Sequence, residues 1–417
     1  MQAENAQSWI GTAAASKRLG VKPATLYAYV SRGVLTRRRS PDGRSLFDSA
    51  EIGELARRGR PRRPRTAAEF VIESEITALE DGRPFYRGRD ALKLAGFREF
   101  EEVAEWLWTG APTDQSPPES RPRESEPPSE RGAPWQAAPE AVTAGKAAQA
   151  GLPGETLPLE RLQVIVAALA VTDPLRLNLD RPAVVAAGQN LIAGMADCLP
   201  GAGEIRAAGG AGVFPGQRSA PPGWPPRATI TERLWSKLTS ATAVPALTDV
   251  LRAALVLLAD HELAASTVAA RVAASVRADP YAVVTAGLGV LGGALHGGAS
   301  LGAEALLAEV HGTGDAERVL GDRLRRGDRI PGFGHTVYTS GDRRATFLLD
   351  RIRAAAPGHP RLAVAQAVLA EARRRRLPEP NADFALATLA DITQMVRGAG
   401  EAIFAVSRTA GGLAHAL

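Results

Sequence analysis

The chain has little cysteine, little histidine and no long apolar run. Cys198 is the single cysteine among 417 residues, which excludes an internal disulfide framework and metal sites built from several thiolates. No stretch of about 18 residues is apolar and free of charge, and no charged segment followed by an apolar run opens the chain. We therefore expect a cytoplasmic protein with no membrane span and no bound metal.

Lysine is also scarce. The chain has 45 arginines and only 5 lysines. Residues 1–66 hold 14 basic and 5 acidic side chains, so this segment has a net charge of +9 while the whole chain has +5. A local basic segment is the electrostatic footprint of nucleic-acid contact. The alternative is a solubility or interaction tail, or a composition set by codon bias.

The first 58 residues follow the pattern of a small DNA-binding domain. Residues 8–19 have an apolar and alanine face suited to a short helix, and residues 22–31 place proline in a first turn and apolar residues at helical spacing. Residues 36–47 predict a basic hairpin wing around Pro-Asp-Gly, and Asp48 can cap a third helix over residues 50–58. This order resembles the winged helix-turn-helix domain of MerR-like regulators. Candidate contacts to duplex DNA are Lys22, Thr25, Tyr27, Arg37, Arg38 and Arg39.

Beyond this domain, composition predicts a Pro-broken basic linker over residues 59–66 and a body over residues 67–417. Within the body, residues 110–140 are rich in Pro, Ser, Glu and Arg and predict a disordered insertion, and residues 199–227 predict a Gly/Pro-rich loop. Elsewhere, alanine- and leucine-rich segments with helical spacing predict a mainly α fold, and strand patterns are scarce. Examples of such helical segments are residues 159–171, 246–258, 263–276 and 362–374.

Three short segments place histidine or aspartate in turns marked by glycine or proline. They are residues 292–300 (GGALHGGAS), 330–338 (IPGFGHTVY) and 380–384 (PNADF). Glycine allows a backbone and a neighbouring imidazole to approach a ligand closely, and Pro-Asn opens a turn. The candidate catalytic residues are therefore His296, His335 and Asp383.

In order and spacing, these segments resemble the motifs of citrate synthases, which condense an acyl-CoA with oxaloacetate. Other matching segments are residues 85–91 (FYRGRDA), 101–110 (EEVAEWLWTG), 259–262 (ADHE), 342–344 (DRR) and 407–411 (SRTAG). The resemblance covers most of residues 67–417. It implies an all-helical body with a large and a small domain, a homodimer, and CoA as a co-substrate rather than a permanently bound cofactor.

The implied reaction needs a carbanion equivalent from the methyl group of a thioester. The pKa of that methyl group lies far above the pKa of any side chain, so a base must act together with a group that stabilises the enolate. By resemblance, Asp383 removes the proton, His296 stabilises the enolate and His335 polarises or protonates the oxaloacetate carbonyl. We expect His296 to be neutral, with its pKa lowered by helix ends or cations.

Oxaloacetate is a dianion, so its pocket is expected to hold guanidinium groups. The resemblance assigns this role to His261, Arg344 and Arg408. It assigns CoA contacts to Ile330, Gly332 and Gly334. The other three histidines lack a motif and are predicted to be structural or exposed: His311, His359 and His415.

Two features depart from the family pattern. Thr336 stands where many bacterial relatives have arginine, and Thr339 stands where the family commonly has a basic residue near the CoA phosphates, so we expect CoA binding to be weakened or rebuilt elsewhere. The sequence ends at Leu417 without the Arg-Pro segment whose arginine reaches the partner's substrate in the family. We therefore expect the third carboxylate contact to be missing or supplied by another group.

Two functions of different classes remain open at this point. The first is an enzyme that joins acetyl-CoA or propionyl-CoA to oxaloacetate and gives citrate or 2-methylcitrate. The second is a DNA-binding regulator whose synthase-like body senses the same ligands. The acyl donor is undecided, because one methylene in an apolar pocket is worth only about 1 to 3 kcal/mol.

Overall fold

The computed structural model describes residues 9–19, 26, 30, 35–40, 45–58, 74–80, 82–110, 134–204, 228–294, 296–338 and 341–417. The chain divides into two compact units, Met1–Glu73 and Ser74–Leu417. Several predictions concern residues outside the described ranges. They are Lys22, Thr25, Tyr27, the linker at 59–66, Thr339, and most of the two segments at 110–140 and 199–227.

The first unit contains a small antiparallel sheet and two described helices. Its elements are β1 (Trp9–Gly11), α1 (Thr12–Leu19), β2 (Arg37–Arg39), β3 (Ser45–Asp48) and α2 (Ser49–Arg58). The strand order is β1-β3-β2, with Ile10 opposite Phe47 and Arg38 opposite Leu46. The predicted hairpin is present, while the first helix begins at Thr12 because residues 9–11 pair with β3.

A compact apolar core lies beneath this sheet. Its buried members are Ala15, Leu26, Leu35, Phe47 and Ile52. Asp48 caps α2, because its Oδ1 accepts hydrogen bonds from the backbone N–H groups of Ala50 and Glu51 at 2.7 and 3.3 Å. Of the predicted second helix, only Leu26 and Val30 lie in the described ranges.

The second unit is mainly helical. Its elements are β4 (Thr77–Glu80), β5 (Arg83–Tyr86), β6 (Arg89–Asp90), α3 (Ala91–Phe97), α4 (Phe100–Thr109), α5 (Pro139–Ala147), α6 (Pro158–Thr172), α7 (Arg181–Cys198), α8 (Ile230–Leu238), α9 (Pro245–Leu258), α10 (Ala265–Ser275), α11 (Pro280–Leu291), α12 (Gly298–Thr313), α13 (Ala316–Arg325), α14 (Arg343–Ala355), α15 (Pro360–Arg374), α16 (Ala382–Ile392) and α17 (Ala399–Ala414). The four helical segments named from sequence are confirmed as α6, α9, α10 and α15, with ends shifted by at most two residues. None of the described helices is both long and apolar enough to cross a membrane.

Helix α17 lies at the centre of this unit, and all of its residues are buried. It packs against α4, α7, α9 and α11. A helix buried on every side needs small and apolar residues all around, which its alanines and glycines supply. Gly411 is required where α17 meets the end of α9, because a β-carbon there would overlap the Ala259 carbonyl and the Asp260 carboxylate.

The strands β4, β5 and β6 form a small antiparallel sheet that the sequence did not predict. Its Tyr86 side chain is fully buried and reaches the last turn of α9. The Tyr86 hydroxyl lies 3.1, 3.0 and 3.2 Å from the carbonyl oxygens of Val256, Leu257 and Asp260. The sheet thereby fixes the turn that follows α9, where His261 lies.

Candidate active site

His261 lies in the turn after α9, and only 7% of the residue is exposed. Its Nε2 is 2.9 Å from the Tyr338 hydroxyl. The preceding Asp260 is held by the N–H of Glu262 at 3.2 Å and by Nε2 of His415 at 3.1 Å. Burial, together with the charge of nearby arginines, holds the pKa of His261 well below its usual range, so the imidazole is neutral.

His296 lies in the turn that leads into α12. Its Nε2 is 2.8 Å from Oγ of Ser266 on α10, and its ring meets Phe404 edge-on at 5.7 Å between centroids. Burial, and then the charge of Arg408, lower the pKa of His296 from 6.5 to about 4. The histidine is therefore neutral at physiological pH. Helix ends or cations were the expected causes, whereas burial is the larger cause and the Arg408 cation the smaller one.

His335 lies in the glycine-rich loop before α14. Its Nδ1 accepts hydrogen bonds from the backbone N–H groups of Val337 and Tyr338 at 3.0 and 3.2 Å. Burial and Arg344 lower the pKa of His335 to about 4, against the opposing effect of Asp342. A neutral ring whose Nδ1 accepts must carry its proton on Nε2, which leaves that N–H available to donate.

The loop that carries His335 is joined by hydrogen bonds of Asn381 to the turn that carries Asp383. Asn381 donates from its backbone N–H to the Gly332 carbonyl and from Nδ2 to the Gly334 carbonyl, both at 2.9 Å. Its Oδ1 accepts from the N–H of Asp383 at 3.1 Å, which caps α16. Asn381 thus fixes the loop that carries His335 relative to the start of α16, where Asp383 lies.

Backbone conformation and close packing both require glycine at position 332. Its φ is 82°, and a β-carbon there would lie 2.9 Å from Cβ of Phe384 and 3.2 Å from Cβ of Ala303. Any side chain would therefore push α12 and α16 apart. Gly332 and Gly334, two of the predicted CoA contacts, accept hydrogen bonds from Asn381 through their carbonyl groups. Ile330, the third predicted CoA contact, is buried.

Asp383 lies in the first turn of α16. Its Oδ1 is buried and has no hydrogen-bond partner in the described part of the chain. Burial raises the pKa of Asp383 from 3.8 to about 7, partly offset by Arg344 and reinforced by Asp342 and Glu401. A carboxyl that titrates near neutrality is suited to general-base work.

Arg344 is buried and already paired. Its Nε and Nη2 each donate to the Asp342 carboxylate at 2.9 Å. Asp342 also accepts from the backbone N–H groups of Arg344 and Ala382 at 3.0 and 3.1 Å, which joins the starts of α14 and α16. The guanidinium lies over the Tyr338 ring at 5.0 Å.

Arg408, on α17, is equally buried but largely unpaired. Its Nε donates to the Leu258 carbonyl at 3.0 Å, and its guanidinium lies over the Phe404 ring at 4.8 Å. Nη1 and Nη2 are buried and have no partner among the described residues. Buried donors without partners are costly, so this guanidinium is suited to binding an anionic ligand.

Sequence reasoning did not single out three side chains that orient this site. Ser266 holds His296, Tyr338 holds His261, and Asp342 holds Arg344. Tyr338 lies inside the glycine-rich motif three residues after His335, so an aromatic hydroxyl at that spacing was the available signal. Ser266 had none, since its helix lacks any polar motif.

A run of arginines at the end of α15 was also missed. Arg374 pairs with Glu371 at 2.7 Å, and Arg375 pairs with the same carboxylate. Arg373 and Arg376 are exposed, and with Phe333 and neighbouring prolines they line a cavity of about 130 Å³ beside the glycine-rich loop. This cavity places two cations, together with the carboxylate of Glu379, next to the glycine-rich loop.

Three histidines were predicted to be structural or exposed. His415 is buried and structural, His359 caps α15 by accepting from the Arg361 N–H at 3.3 Å, and His311 is exposed, as expected. The three arginines Arg37, Arg38 and Arg39 form the exposed strand β2. The described residues contain no group of histidine, cysteine and carboxylate side chains that could hold a metal ion.

A protein-family model described as the citrate synthase C-terminal domain matches residues 67–417. Citrate synthase 2 of Bacillus subtilis is 35% identical over 195 residues, which is 45% of this chain and 51% of that protein. The 2-methylcitrate synthase of Shewanella oneidensis is 41% identical over 103 residues, 25% of this chain and 28% of that protein. The chain thus spans about half or less of the length of these curated relatives.

Solved structures support the same fold. A citrate synthase from Thermoplasma acidophilum, in a ternary complex with carboxymethyl coenzyme A and oxaloacetate, superposes with a TM-score of 0.63. The identity is 22%, and the match covers 84% of this chain and 90% of that one. The family match extends over most of the chain, including every residue of the cluster described above. The chain belongs to the citrate synthase family.

Proposed function

We propose that this protein condenses an acyl-CoA with oxaloacetate. The observation that carries the proposal is Arg408, whose buried Nη1 and Nη2 have no hydrogen-bond partner among the described residues and whose charge acts on the neutral His261 and His296. Asp383, whose pKa is raised to about 7, supplies a base in the same unit. A dianionic keto acid supplies the missing carboxylate. The proposed test is thiol release from acetyl-CoA and from propionyl-CoA by the full chain, with and without oxaloacetate. Release that does not depend on oxaloacetate would contradict the proposal.

Oxaloacetate recognition would use both arginines in unequal ways. Arg408 offers Nη1 and Nη2 to one carboxylate as a two-pronged donor. Arg344 has committed Nε and Nη2 to Asp342, so it offers Nη1 to the other carboxylate. His261 and His335, whose ring centroids lie 5.3 Å apart, would both donate to the substrate. His335 has Nε2–H free for the ketone oxygen, as its Nδ1 already accepts.

The proton transfer follows from the protonation states. Ionised Asp383 takes a proton from the carbon next to the thioester, and the electron pair moves toward the thioester oxygen. His296 donates to that oxygen from Nδ1, if the Ser266 hydroxyl donates to Nε2 and so fixes the tautomer. The enolate carbon then attacks the ketone carbon, whose oxygen takes a proton from His335, and hydrolysis of the thioester releases CoA.

The CoA phosphates would meet Arg373 and Arg376. These two exposed side chains line the cavity beside Phe333, next to the loop that holds Ile330, Gly332 and Gly334. Replacing both arginines by glutamine should raise the KM for the acyl-CoA and leave the KM for oxaloacetate unchanged. Equal changes in both constants would argue against a phosphate contact. The acyl donor itself is decided by the relative thiol release from acetyl-CoA and propionyl-CoA.

A second copy of the chain is the proposed partner of α10. Val268 and Val272 on α10, and Val276 directly after it, are spaced four residues apart and are 37, 63 and 77% exposed. An apolar stripe of this kind fits a symmetric helix-packed interface. Val272→Asp should convert a dimer into a monomer in light scattering, whereas Val171→Asp, at another exposed valine, should not.

DNA binding by the first unit is a second candidate function. The observation that favours it is β2, where Arg37, Arg38 and Arg39 are consecutive and exposed in a hairpin. Binding to duplex DNA should weaken as salt rises, and replacing these residues by alanine should flatten the log-log slope by about 0.9 for each phosphate that they neutralise. Replacing Arg318, Arg325 and Arg326 removes the same charge from the body and should leave the slope unchanged. Absence of binding at low salt would remove this function.

A further inference from the structure

Ser300 lies in the first turn of α12, four residues after His296, and is fully buried. Its Oγ is enclosed and has no hydrogen-bond partner among the described residues. A buried hydroxyl without a partner costs about 1 to 3 kcal/mol. Serine is also a poorer helix former than alanine, so neither stability nor helix propensity explains its presence.

Helix α12 packs against α16, and the Asp383 carboxyl at the start of α16 is a neighbour of this hydroxyl. Oδ1 of Asp383 is likewise buried and has no other partner in the described ranges. Burial raises the pKa of Asp383, and the Ser300 hydroxyl is close enough to act in the opposite direction as a hydrogen-bond donor. One of these enclosed oxygens can donate and the other can accept, and neither has a hydrogen-bond partner among the described residues.

Helix α17 closes the other side of Ser300. A β-carbon at Gly400 would overlap Oγ of Ser300 and lie 3.2 Å from Oε1 of Glu304. Glu304 accepts hydrogen bonds from the N–H groups of Gly398 and Gly400 at 2.8 and 3.0 Å. Glu304 therefore holds Gly400 against Ser300, which leaves no space on this side of the hydroxyl.

We infer that Ser300 is a positioning residue for the base: its hydroxyl donates to Oδ1 of ionised Asp383 and leaves Oδ2 to take the substrate proton. The inference rests on the proposed function, in which Asp383 is that base. Ser300 touches no substrate atom and forms no covalent bond. Its hydrogen bond favours the ionised carboxyl, because a hydroxyl donates more strongly to a carboxylate than to a neutral acid.

The other charged groups around Asp383 act in both directions. Arg344 favours the ionised form, whereas Asp342 and Glu401 disfavour it. Burial and the neighbouring Glu304 raise the pKa of Glu401 itself to about 7. Removing the Ser300 hydroxyl therefore leaves Arg344 as the main group that favours the carboxylate.

Two substitutions test the hydrogen bond from different sides. Ser300→Ala removes the hydroxyl, and Gly400→Ala displaces it without changing its chemistry. Both should shift the rising limb of the pH profile of kcat/KM upward by roughly one unit, with a five- to tenfold loss at pH 6.5 that is recovered above the new pKa. Thr388→Val is the matched control, since it removes a buried hydroxyl of α16 that bonds the Phe384 carbonyl. It should lower stability without moving the profile.

A second readout does not depend on turnover. Because Ser300 lowers the pKa of folded Asp383, the loss of unfolding free energy in Ser300→Ala should grow as pH rises from 5 to 9, and that of Thr388→Val should stay constant. A constant loss for Ser300→Ala, or a pH profile that does not move, would overturn the inference. An inactive wild-type protein would contradict the proposed function instead, while the stability measurement would still decide the hydrogen bond.

Discussion

Arg344 and Arg408 are two buried arginines of one site, yet their surroundings are opposite. Arg344 is held by Asp342 through two hydrogen bonds, and the same carboxylate ties α14 to α16. Arg408 rests on one carbonyl and one aromatic ring, and its two Nη groups are unmet in the described part of the chain. A paired charge contributes to architecture, whereas an unpaired one costs stability that a ligand can recover.

The largest expected difference between the two arginines is in stability. Asp342→Ala leaves Arg344 as an uncompensated buried charge and removes the cap of α14, so the free energy of unfolding should fall by about 3 to 5 kcal/mol. Arg408→Leu should lower it by less, because Arg408 forms no salt bridge among the described residues that the substitution would break. Urea denaturation measures both. Similar losses in the two variants would mean that Arg408 has a partner of its own.

For oxaloacetate binding, the larger effect is expected at Arg408 and the smaller one at Arg344. Arg408→Leu should weaken binding by about 2 to 5 kcal/mol, because its carboxylate loses both donors. Arg344→Leu should cost less affinity per folded molecule, because two of its donors were already committed to Asp342. Calorimetric titration with oxaloacetate decides this, with CoA as the control ligand. A larger effect at Arg344 would reverse the assignment.

Asp383 lies in the field of Arg344 and adds a pH dependence. The pKa of Asp383 is about 7 in the folded protein and 3.8 in the unfolded chain, so the protonated carboxyl is compatible with folding and the ionised one destabilises the fold. The folded state is therefore not penalised by Asp383 below about pH 4, and this stability is lost as pH rises through 7. Asp383→Asn should therefore gain about 1 to 3 kcal/mol over wild type at pH 8 and nothing at pH 4. Denaturation series at both pH values measure the gain. Equal gains at both would show that the carboxyl titrates normally in the fold.

The smallest effect is expected for the hydroxyl of Tyr338. Tyr338→Phe removes the hydrogen bond to Nε2 of His261 but keeps the ring under Arg344. The affinity for oxaloacetate should fall by about 0.5 to 1.5 kcal/mol, because His261 is less firmly oriented. A loss as large as that of Arg408→Leu would make Tyr338 a direct ligand.

The sequence predicted the long helices and the residues in glycine-marked turns, since helical periodicity and turn chemistry are local. It identified Arg344 and Arg408 alike through family resemblance, and only the fold distinguishes them, because pairing depends on which carboxylate lies nearby in space. The sheet around Tyr86 and the contacts of Ser266 and Ser300 join elements distant in the chain. No local pattern predicts such contacts.

The most direct test of the central claim is thiol release by Asp383→Asn. The substitution keeps the size of the side chain and the cap formed by Asn381, so oxaloacetate should still raise the melting temperature as it does for wild type. Thiol release from the preferred acyl-CoA should fall by a factor of about 10² to 10⁴, because general-base catalysis is lost. A variant that keeps more than a tenth of the wild-type rate would contradict the assignment of Asp383 as the base.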